Sequence, residues 1–158
     1  MYLMNLNTQS AVVNTALDQL LLERAEQGNF TFAFTSWRPS ILVGNSQSLA
    51  LDVDLKECER LKVEMMRRFS GGQAVYLDEH YIVFTVAGPR NLFPESLTEL
   101  REQLCQIALC ALKPLGIPVE FFPPDNLIVN SPRIRTLGSS GQVINVMRSR
   151  LEQVYFMI

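Results

Sequence analysis

The apolar residues of the chain follow two periods, which predict short strands interleaved with helices. Alternating or continuous apolar runs predict strands at residues 2–6, 30–35, 41–44, 63–65, 81–86, 117–121, 127–129, 143–147 and 154–158, with another strand beginning at Val75. Helical spacing predicts helices at residues 10–28, 54–62 and 94–116. The segment 133–142 is predicted to be a loop or hairpin. This order predicts an α+β fold with a mostly antiparallel mixed sheet flanked by helices.

Each long helix has a predicted buried side and recognisable ends. In the first helix, the apolar positions that recur at helical spacing are Val13, Ala16, Leu17, Leu20 and Leu21. In the longest helix, Pro94 is expected in the first turn and Gly116 just after the last, as the usual start and stop residues.

Composition adds few constraints beyond size. The chain has 158 residues, of which 47% are hydrophobic, and we interpret residues 1–158 as a single domain. A net charge of −2 gives no indication of binding to nucleic acid or to an anionic membrane. No segment has the apolar length of a membrane span, and a cytoplasmic location is expected. Cys58, Cys105 and Cys110 lack metal-ligand spacing and are interpreted as small apolar residues.

One short stretch carries the chemistry that the sequence suggests. Two arginines, Arg67 and Arg68, run into Ser70-Gly71-Gly72 between two predicted strands. Glycines let backbone N–H groups approach a ligand closely, and arginines suit a carboxylate or a phosphate. The same dipeptide is also typical of a plain hairpin turn, so the stretch by itself leaves both interpretations open.

The longer string from Arg67 to Asp78 resembles the Arg-Arg-x-Ser-Gly-Gly-Gly-Ala-Val-Tyr/Phe-His-Asp signature of the lipoate–protein ligase A family, relatives of biotin–protein ligases. The string from Asn14 to Asp18 is similar to the family's opening helix, and Gly44 to Gln47 matches its Gly-x-x-Gln. The resemblance implies the biotin ligase-like fold of class II synthetases. For Asn14, interpretation as a polar residue at the edge of the helix stripe stays equally open.

The resemblance also implies a reaction and a set of binding residues. The family adenylates lipoate with ATP and transfers lipoyl to a lysine of a carrier domain, so ATP, Mg²⁺, lipoate and a lipoyl carrier domain protein are expected. Arg68 would contact the nucleotide phosphate, and Gly71 and Gly72 would allow close approach. The residues that would hold the adenylate along the strand are Gln73, Ala74, Val75 and Tyr76. The adjacent acids Asp78 and Glu79 suit either Mg²⁺ or a solvent-facing turn.

The chain departs from the family pattern at a position that matters for catalysis. Thr136 stands where the family has a lysine that touches the carboxylate and the α-phosphate, and the arginines Arg133 and Arg135 are candidate substitutes. Gln73 replaces a glycine and Leu77 replaces a histidine. The chain stops within a predicted strand, so an accessory domain or second chain is expected to complete the sheet.

Three functions follow from these observations. The first is an ATP-dependent lipoate–protein ligase. The second is a catalytically impaired or non-enzymatic homologue that binds an acyl group or a partner. The third is an octanoyl or lipoyl transferase of the same fold; such transferases use a cysteine thiolate, and none of the three cysteines lies at the expected loops.

Overall fold

The computed structural model describes residues 1–123, 126–129 and 149–157. The strands are β1 (Tyr2–Gln9), β2 (Thr31–Trp37), β3 (Ser40–Val43), β4 (Glu64–Arg67), β5 (Val75–Leu77), β6 (Tyr81–Pro89), β7 (Val119–Phe122), β8 (Asn126–Val129) and β9 (Ser149–Met157). The α-helices are α1 (Ala11–Glu26), α2 (Leu49–Asp52), α3 (Leu55–Leu61) and α4 (Leu97–Leu112). No helix in these ranges is long and apolar enough to cross a membrane.

A four-stranded sheet in the order β1-β2-β6-β9 forms the centre of the fold. The β1–β2 pair is parallel, whereas β2–β6 and β6–β9 are antiparallel. Phe34 lies opposite Phe84 in the register between β2 and β6, and Ala33 lies opposite Thr85. Because side chains alternate across a strand, neighbouring residues of β2 supply two different cores.

The two faces of this large sheet are covered by different helices. On one face, Phe84 and Val86 pack in a cluster with Leu100 and Leu104 of α4. The partly buried Phe32 and Phe34 pack against this cluster. On the other face, Ala33 and Ala87 form a second buried cluster with residues of α1. These α1 residues are Leu21, Leu22 and Ala25. The sheet is therefore the middle layer between α1 and α4.

A second, three-stranded sheet in the order β4-β3-β5 packs beside the start of α1. Its inner residues Leu42 and Leu77 join Trp37, Val83 and Ala11 in one buried cluster. The carboxylate of Glu64 accepts a hydrogen bond of 2.7 Å from the amide of Ala11, which ties the start of α1 to β4. This small sheet is the part of the fold that carries the arginine–glycine stretch.

These observations confirm the predicted α+β class and most of the predicted strands. Four of the six strand pairings are antiparallel, although the strands are divided among three sheets rather than one. Residues 154–157 lie in β9, which pairs with β6. The predicted loop at 133–142 and the predicted strand at 143–147 lie outside the described residues.

The predicted buried stripe of α1 was wrong at several positions. Val13, Ala16 and Leu20 are exposed, whereas Asn14 and Leu22 are buried. The helix is apolar on both sides, so periodicity alone does not choose which side meets the sheet. The contact with β2 and β6 makes that choice, because α1 begins immediately after β1 and is fixed there by Glu64.

The start of α4 also differs from the prediction. Pro94 precedes the helix, which begins at Leu97 after the N-cap Ser96, whose side chain accepts a hydrogen bond from the amide of Glu99. The end agrees with the prediction in kind: a short 3-10 turn follows α4, and Gly116 closes it with a φ of 72°.

Truncation of Leu100 tests the α4 core. Leu100 is 1% exposed, so Leu100→Ala should lower the free energy of unfolding by about 2–5 kcal/mol through lost burial and a residual cavity. Leu97 lies one turn earlier on the same helix and is 42% exposed, so Leu97→Ala should cost less than about 1 kcal/mol. Urea unfolding of both variants measures the difference, and equal losses would contradict this assignment of the core.

Candidate active site

The site is created where two parallel strands end. Because β3 and β4 are parallel, their carboxyl ends meet at one edge of the small sheet. The turn that follows β3 begins at Gly44, and the arginine–glycine stretch follows β4. Two backbone hydrogen bonds join the segments: the amide of Arg68 donates to Val43 O at 3.0 Å, and that of Asn45 donates to Ser70 O at 2.8 Å.

The guanidinium of Arg68 is the structural centre of the glycine loop. Its side chain is 6% exposed and donates hydrogen bonds to three backbone carbonyl groups. Nη1 donates to Leu42 O at 2.9 Å, and Nη2 donates to Gly71 O at 2.8 Å and to Gln73 O at 2.7 Å. Nε adds a bond of 3.2 Å to Gly71 O. The loop is thus folded around a buried positive charge.

This arrangement determines where the loop amides point. A trans peptide group places its C=O and the following N–H on opposite sides of the chain. With the carbonyls of Gly71 and Gln73 turned toward Arg68, the amides of Gly72 and Ala74 face the opposite, open side. Among the described residues, the amides of Gly71, Gly72 and Gln73 have no hydrogen-bond acceptor. The loop therefore presents backbone donors backed by a cation, which is the arrangement that binds anions.

Two glycines make this loop geometry accessible. Gly72 has a φ of 94°, and a Cβ there would lie 2.8 Å from Nη2 of Arg68. Gly44 packs directly against the loop, because a Cβ on it would lie 2.1 Å from Gly72 O. Gly71 has open space around it. Gly44 and Gly72 are therefore required by packing, while Gly71 leaves room on the ligand side.

The neighbouring arginine supports the other segment. Nη1 of Arg67 donates to the carbonyl oxygens of Gly44, Asn45 and Gln47 at 2.8, 3.1 and 2.9 Å. The side chain of Gln47 accepts a hydrogen bond of 2.9 Å from the amide of Gly44. The sequence interpretation of Arg67 as a ligand-facing charge missed these backbone contacts, which involve residues twenty or more positions away.

The strand that leaves the loop has two different sides. Val75 and Leu77 face the cluster around Trp37. Ala74 and Tyr76 line a cavity of about 350 Å³ on the other side of the small sheet, together with residues of α3 such as Cys58. Partial burial, and then the carboxylate of Asp78, raise the pKa of Tyr76, so its phenol remains protonated near neutral pH. Among the described residues, β5 is an outer strand of the small sheet, which suits binding along a strand edge.

Three buried polar atoms around the small sheet lack a hydrogen-bond partner in the described part of the chain. They are Oδ1 of Asn14, Nε1 of Trp37 and Oγ of Ser70. Asn14 is 1% exposed, and its Nδ2 donates to Ser36 O at 3.2 Å, which settles its position on the inner side of α1. Trp37 is the last residue of β2. The sequence did not predict that Ser70 and Trp37 have buried polar atoms without a hydrogen-bond partner, because residue type does not show burial.

The remaining candidate residues fall into two groups. Arg135, Thr136 and Arg133 lie outside the described residues. Asp78 accepts a hydrogen bond of 2.9 Å from the amide of His80, so it shapes the turn between β5 and β6. The described residues contain no group of three potential metal ligands. Mg²⁺ bound with ATP needs only one or two protein carboxylates, so the role of Asp78 and Glu79 stays a prediction.

Comparison with known proteins identifies the family. The sequence model of the lipoyl protein ligase A/B catalytic domain matches residues 10–148. The chain belongs to this family. Its relatives include a probable lipoate-protein ligase A of Mycoplasma genitalium, 31% identical over 127 residues, which cover 79% of this chain and 37% of that protein. An octanoyltransferase LipM of Carboxydothermus hydrogenoformans is 35% identical over 117 residues, or 70% of this chain and 43% of that protein.

A solved structure shows the same fold. It is a bi-partite lipoate protein ligase with its E2 lipoyl domain from Thermoplasma acidophilum, and it matches with a TM-score of 0.84 at 18% identity. The match covers 99% of this chain and 61% of that one. The family's lipoate ligase-like fold, expected from the sequence, is thereby confirmed. The chain spans 37% and 43% of the length of the two curated relatives.

Substitution of Gly44 in the turn and of Gly71 in the loop separates a tightly packed glycine from one with open space around it. Gly44→Ala should lower the free energy of unfolding by about 1–3 kcal/mol, because the new Cβ collides with the Gly72 carbonyl. Gly71→Ala should leave stability within about 0.5 kcal/mol, since nothing lies within 4 Å of its Cβ and its φ is not positive. Thermal and urea unfolding test the pair, and a stable Gly44→Ala variant would contradict the described contact.

Proposed function

We propose that this chain is a catalytic domain that activates lipoate with ATP and passes the lipoyl group to a carrier lysine. In the first step, a carboxylate oxygen of lipoate attacks the α-phosphorus of ATP, and pyrophosphate leaves with the electron pair of the broken P–O bond. In the second step, the lysine amine attacks the lipoyl carbonyl carbon, and AMP leaves. The amine loses one proton when the amide forms, and no protein nucleophile is needed.

The observation that supports this proposal most directly is the outward direction of the loop amides. Both reactants of the first step are anions, so the site needs donors fixed in place before negative charge develops. The amides of Gly72 and Ala74 have that direction because Arg68 holds the preceding carbonyl groups. Arg68 itself is buried behind the loop, so it contributes through its charge and through loop shape.

The acyl chain requires an apolar surface next to this loop. The cavity of about 350 Å³ beside Ala74 and Tyr76 supplies one, because its lining also includes apolar residues of β3 and α3. We do not assign the acyl chain to the phenylalanines of β2. Phe32 and Phe34 pack on Phe84, with ring centroids 5.3 and 6.5 Å apart, and lie against the α4 core rather than the small sheet.

One residue argues against the ligase proposal. Thr136 stands at the position where the family has a lysine. A missing donor to developing charge typically lowers the rate by about 10²–10³-fold. Arg135 is adjacent in sequence and carries the charge that Thr136 lacks, so we assign the substitute role to Arg135. A guanidinium and an ammonium differ in geometry, so the exchange is expected to be incomplete.

Two substitutions test this assignment. Thr136→Lys should raise the rate of pyrophosphate release with ATP and lipoate by about 10²-fold, because it restores a donor to the α-phosphate. Arg135→Ala should lower the rate of the unmodified chain by at least about tenfold. Unchanged release in Arg135→Ala would exclude Arg135 as the substitute. Arg60→Ala, an exposed arginine on α3 that is paired with Glu57, is the matched control for loss of a positive charge.

The same loop is compatible with acyl transfer that uses no nucleotide. The 35% identical octanoyltransferase favours this second function. Such a reaction needs a nucleophile, yet Cys58 and Cys105 are buried in helices and Cys110 is exposed on α4, away from the glycine loop. Transfer of an octanoyl group between carrier proteins in the absence of ATP would establish the transferase and displace the ligase.

Calorimetry distinguishes the ligase from a homologue that only binds. The ligase predicts heat of binding for ATP and lipoate together with release of pyrophosphate and loading of a lipoyl carrier domain. Binding with no pyrophosphate would point to the impaired homologue.

Addition of an accessory domain from a bi-partite ligase tests whether a second chain completes the site. Mg²⁺ stays a prediction: the ATP phosphates would hold it together with one or two carboxylates such as Asp78 and Glu79, and it would neutralise phosphate charge.

A further inference from the structure

The clearest unassigned feature near the site is the set of contacts made by Arg67. Arg67 is an exposed residue, yet its guanidinium has contacts with the turn after β3. A single nitrogen, Nη1, contacts the carbonyl oxygens of Gly44, Asn45 and Gln47 within 3.1 Å. Three converging carbonyl dipoles repel one another, and a cation placed among them removes that repulsion.

These contacts hold the turn after β3 in one shape. The carbonyl group of Gly44 is held by Arg67, and its amide is held by the side chain of Gln47 at 2.9 Å. The amide of Gln47 donates to Gly44 O as well, at 3.1 Å. Gly44 is therefore fixed on both sides of its Cα, which leaves it little freedom to rotate.

The turn at residues 44–47 also supports the glycine loop. The amide of Asn45 donates to Ser70 O at 2.8 Å. The Cα of Gly44 packs so closely on the Gly72 carbonyl that a Cβ would lie 2.1 Å from its oxygen. A shift of the turn would remove the support of the Ser70–Gly71 and Gly72–Gln73 peptide groups, which carry the amides of Gly71 and Gln73. The two arginines thus act from opposite sides, Arg68 from behind the loop and Arg67 through the neighbouring turn.

We infer that Arg67 is a positioning residue, which sets the direction of the phosphate-binding amides through the turn at residues 44–47. This role rests on the proposed function, because it concerns the geometry of that same site. It differs from ligand binding, since the guanidinium of Arg67 has its contacts with protein carbonyl groups. Small misplacements of a binding group typically cost up to about 100-fold in rate.

The first experiment measures the geometry without any activity. Amide hydrogen exchange of Asn45 and Arg68 reports the two bonds that join turn and loop. Arg67→Ala should accelerate exchange of the Asn45 amide by at least about tenfold, while exchange in the central strand β6 stays unchanged. Arg60→Ala is the matched control, because it removes an exposed arginine with no contact to the turn, and it should leave both amides unchanged.

The second experiment measures the catalytic consequence. Arg67→Ala should lower kcat/KM for ATP in pyrophosphate release by about 10–100-fold, with lipoate binding unchanged by calorimetry. Arg67→Lys should recover part of the loss, because an ammonium can still contact the carbonyl groups. The double variant Gln47→Ala/Arg67→Ala should lose less kcat/KM than the product of the two single fold-losses, because both side chains contact Gly44.

The outcomes separate this inference from the proposed function. If the unmodified chain releases no pyrophosphate, the proposed function fails, and hydrogen exchange still decides the role of Arg67. Wild-type exchange at Asn45 in Arg67→Ala would overturn the inference. So would a variant that loses stability while its folded fraction keeps normal kcat and KM, because that result describes a structural residue only.

Discussion

The burial of the Arg68 guanidinium is the constraint on which the site depends. A charge removed from water is expensive unless its donors are satisfied. Arg68 satisfies four of its donor positions with the carbonyl groups of Leu42, Gly71 and Gln73. Leaving those carbonyl groups without a partner would cost roughly 1–3 kcal/mol each, so the loop has a strong reason to keep this shape. The shape in turn exposes the amides that suit an anion.

The small sheet brings the two segments of the candidate site together. Parallel pairing of β3 and β4 brings Gly44 beside the arginine–glycine stretch, although twenty-three residues separate Gly44 from Arg67. The inner side of the sheet is fixed to the central layer through the cluster around Trp37. The bond from Ala11 to Glu64 adds a connection to α1. The loop therefore sits on a rigid edge, as a preorganised binding site requires.

Membership in the lipoyl protein ligase A/B catalytic domain family places ligases and acyl transferases on one scaffold. Both reactions deliver an acyl group to a lysine, and they differ in how that group is activated. A ligase needs anion binding at the glycine loop, whereas a transferase needs a nucleophile. The outward direction of the loop amides supports our proposal of the first. Thr136 is where the chain differs most from a ligase.

The sequence by itself determined the α+β class, most strand positions and the glycine loop between β4 and β5, because these depend on local periodicity and on residue types with special backbone freedom. It did not determine which side of α1 is buried, since Val13 and Leu20 are as apolar as the residues that meet the sheet. Nor did it determine the partners of Arg67 and Arg68. Those partners are carbonyl groups, which every residue has, so only the tertiary pairing of β3 with β4 selects them.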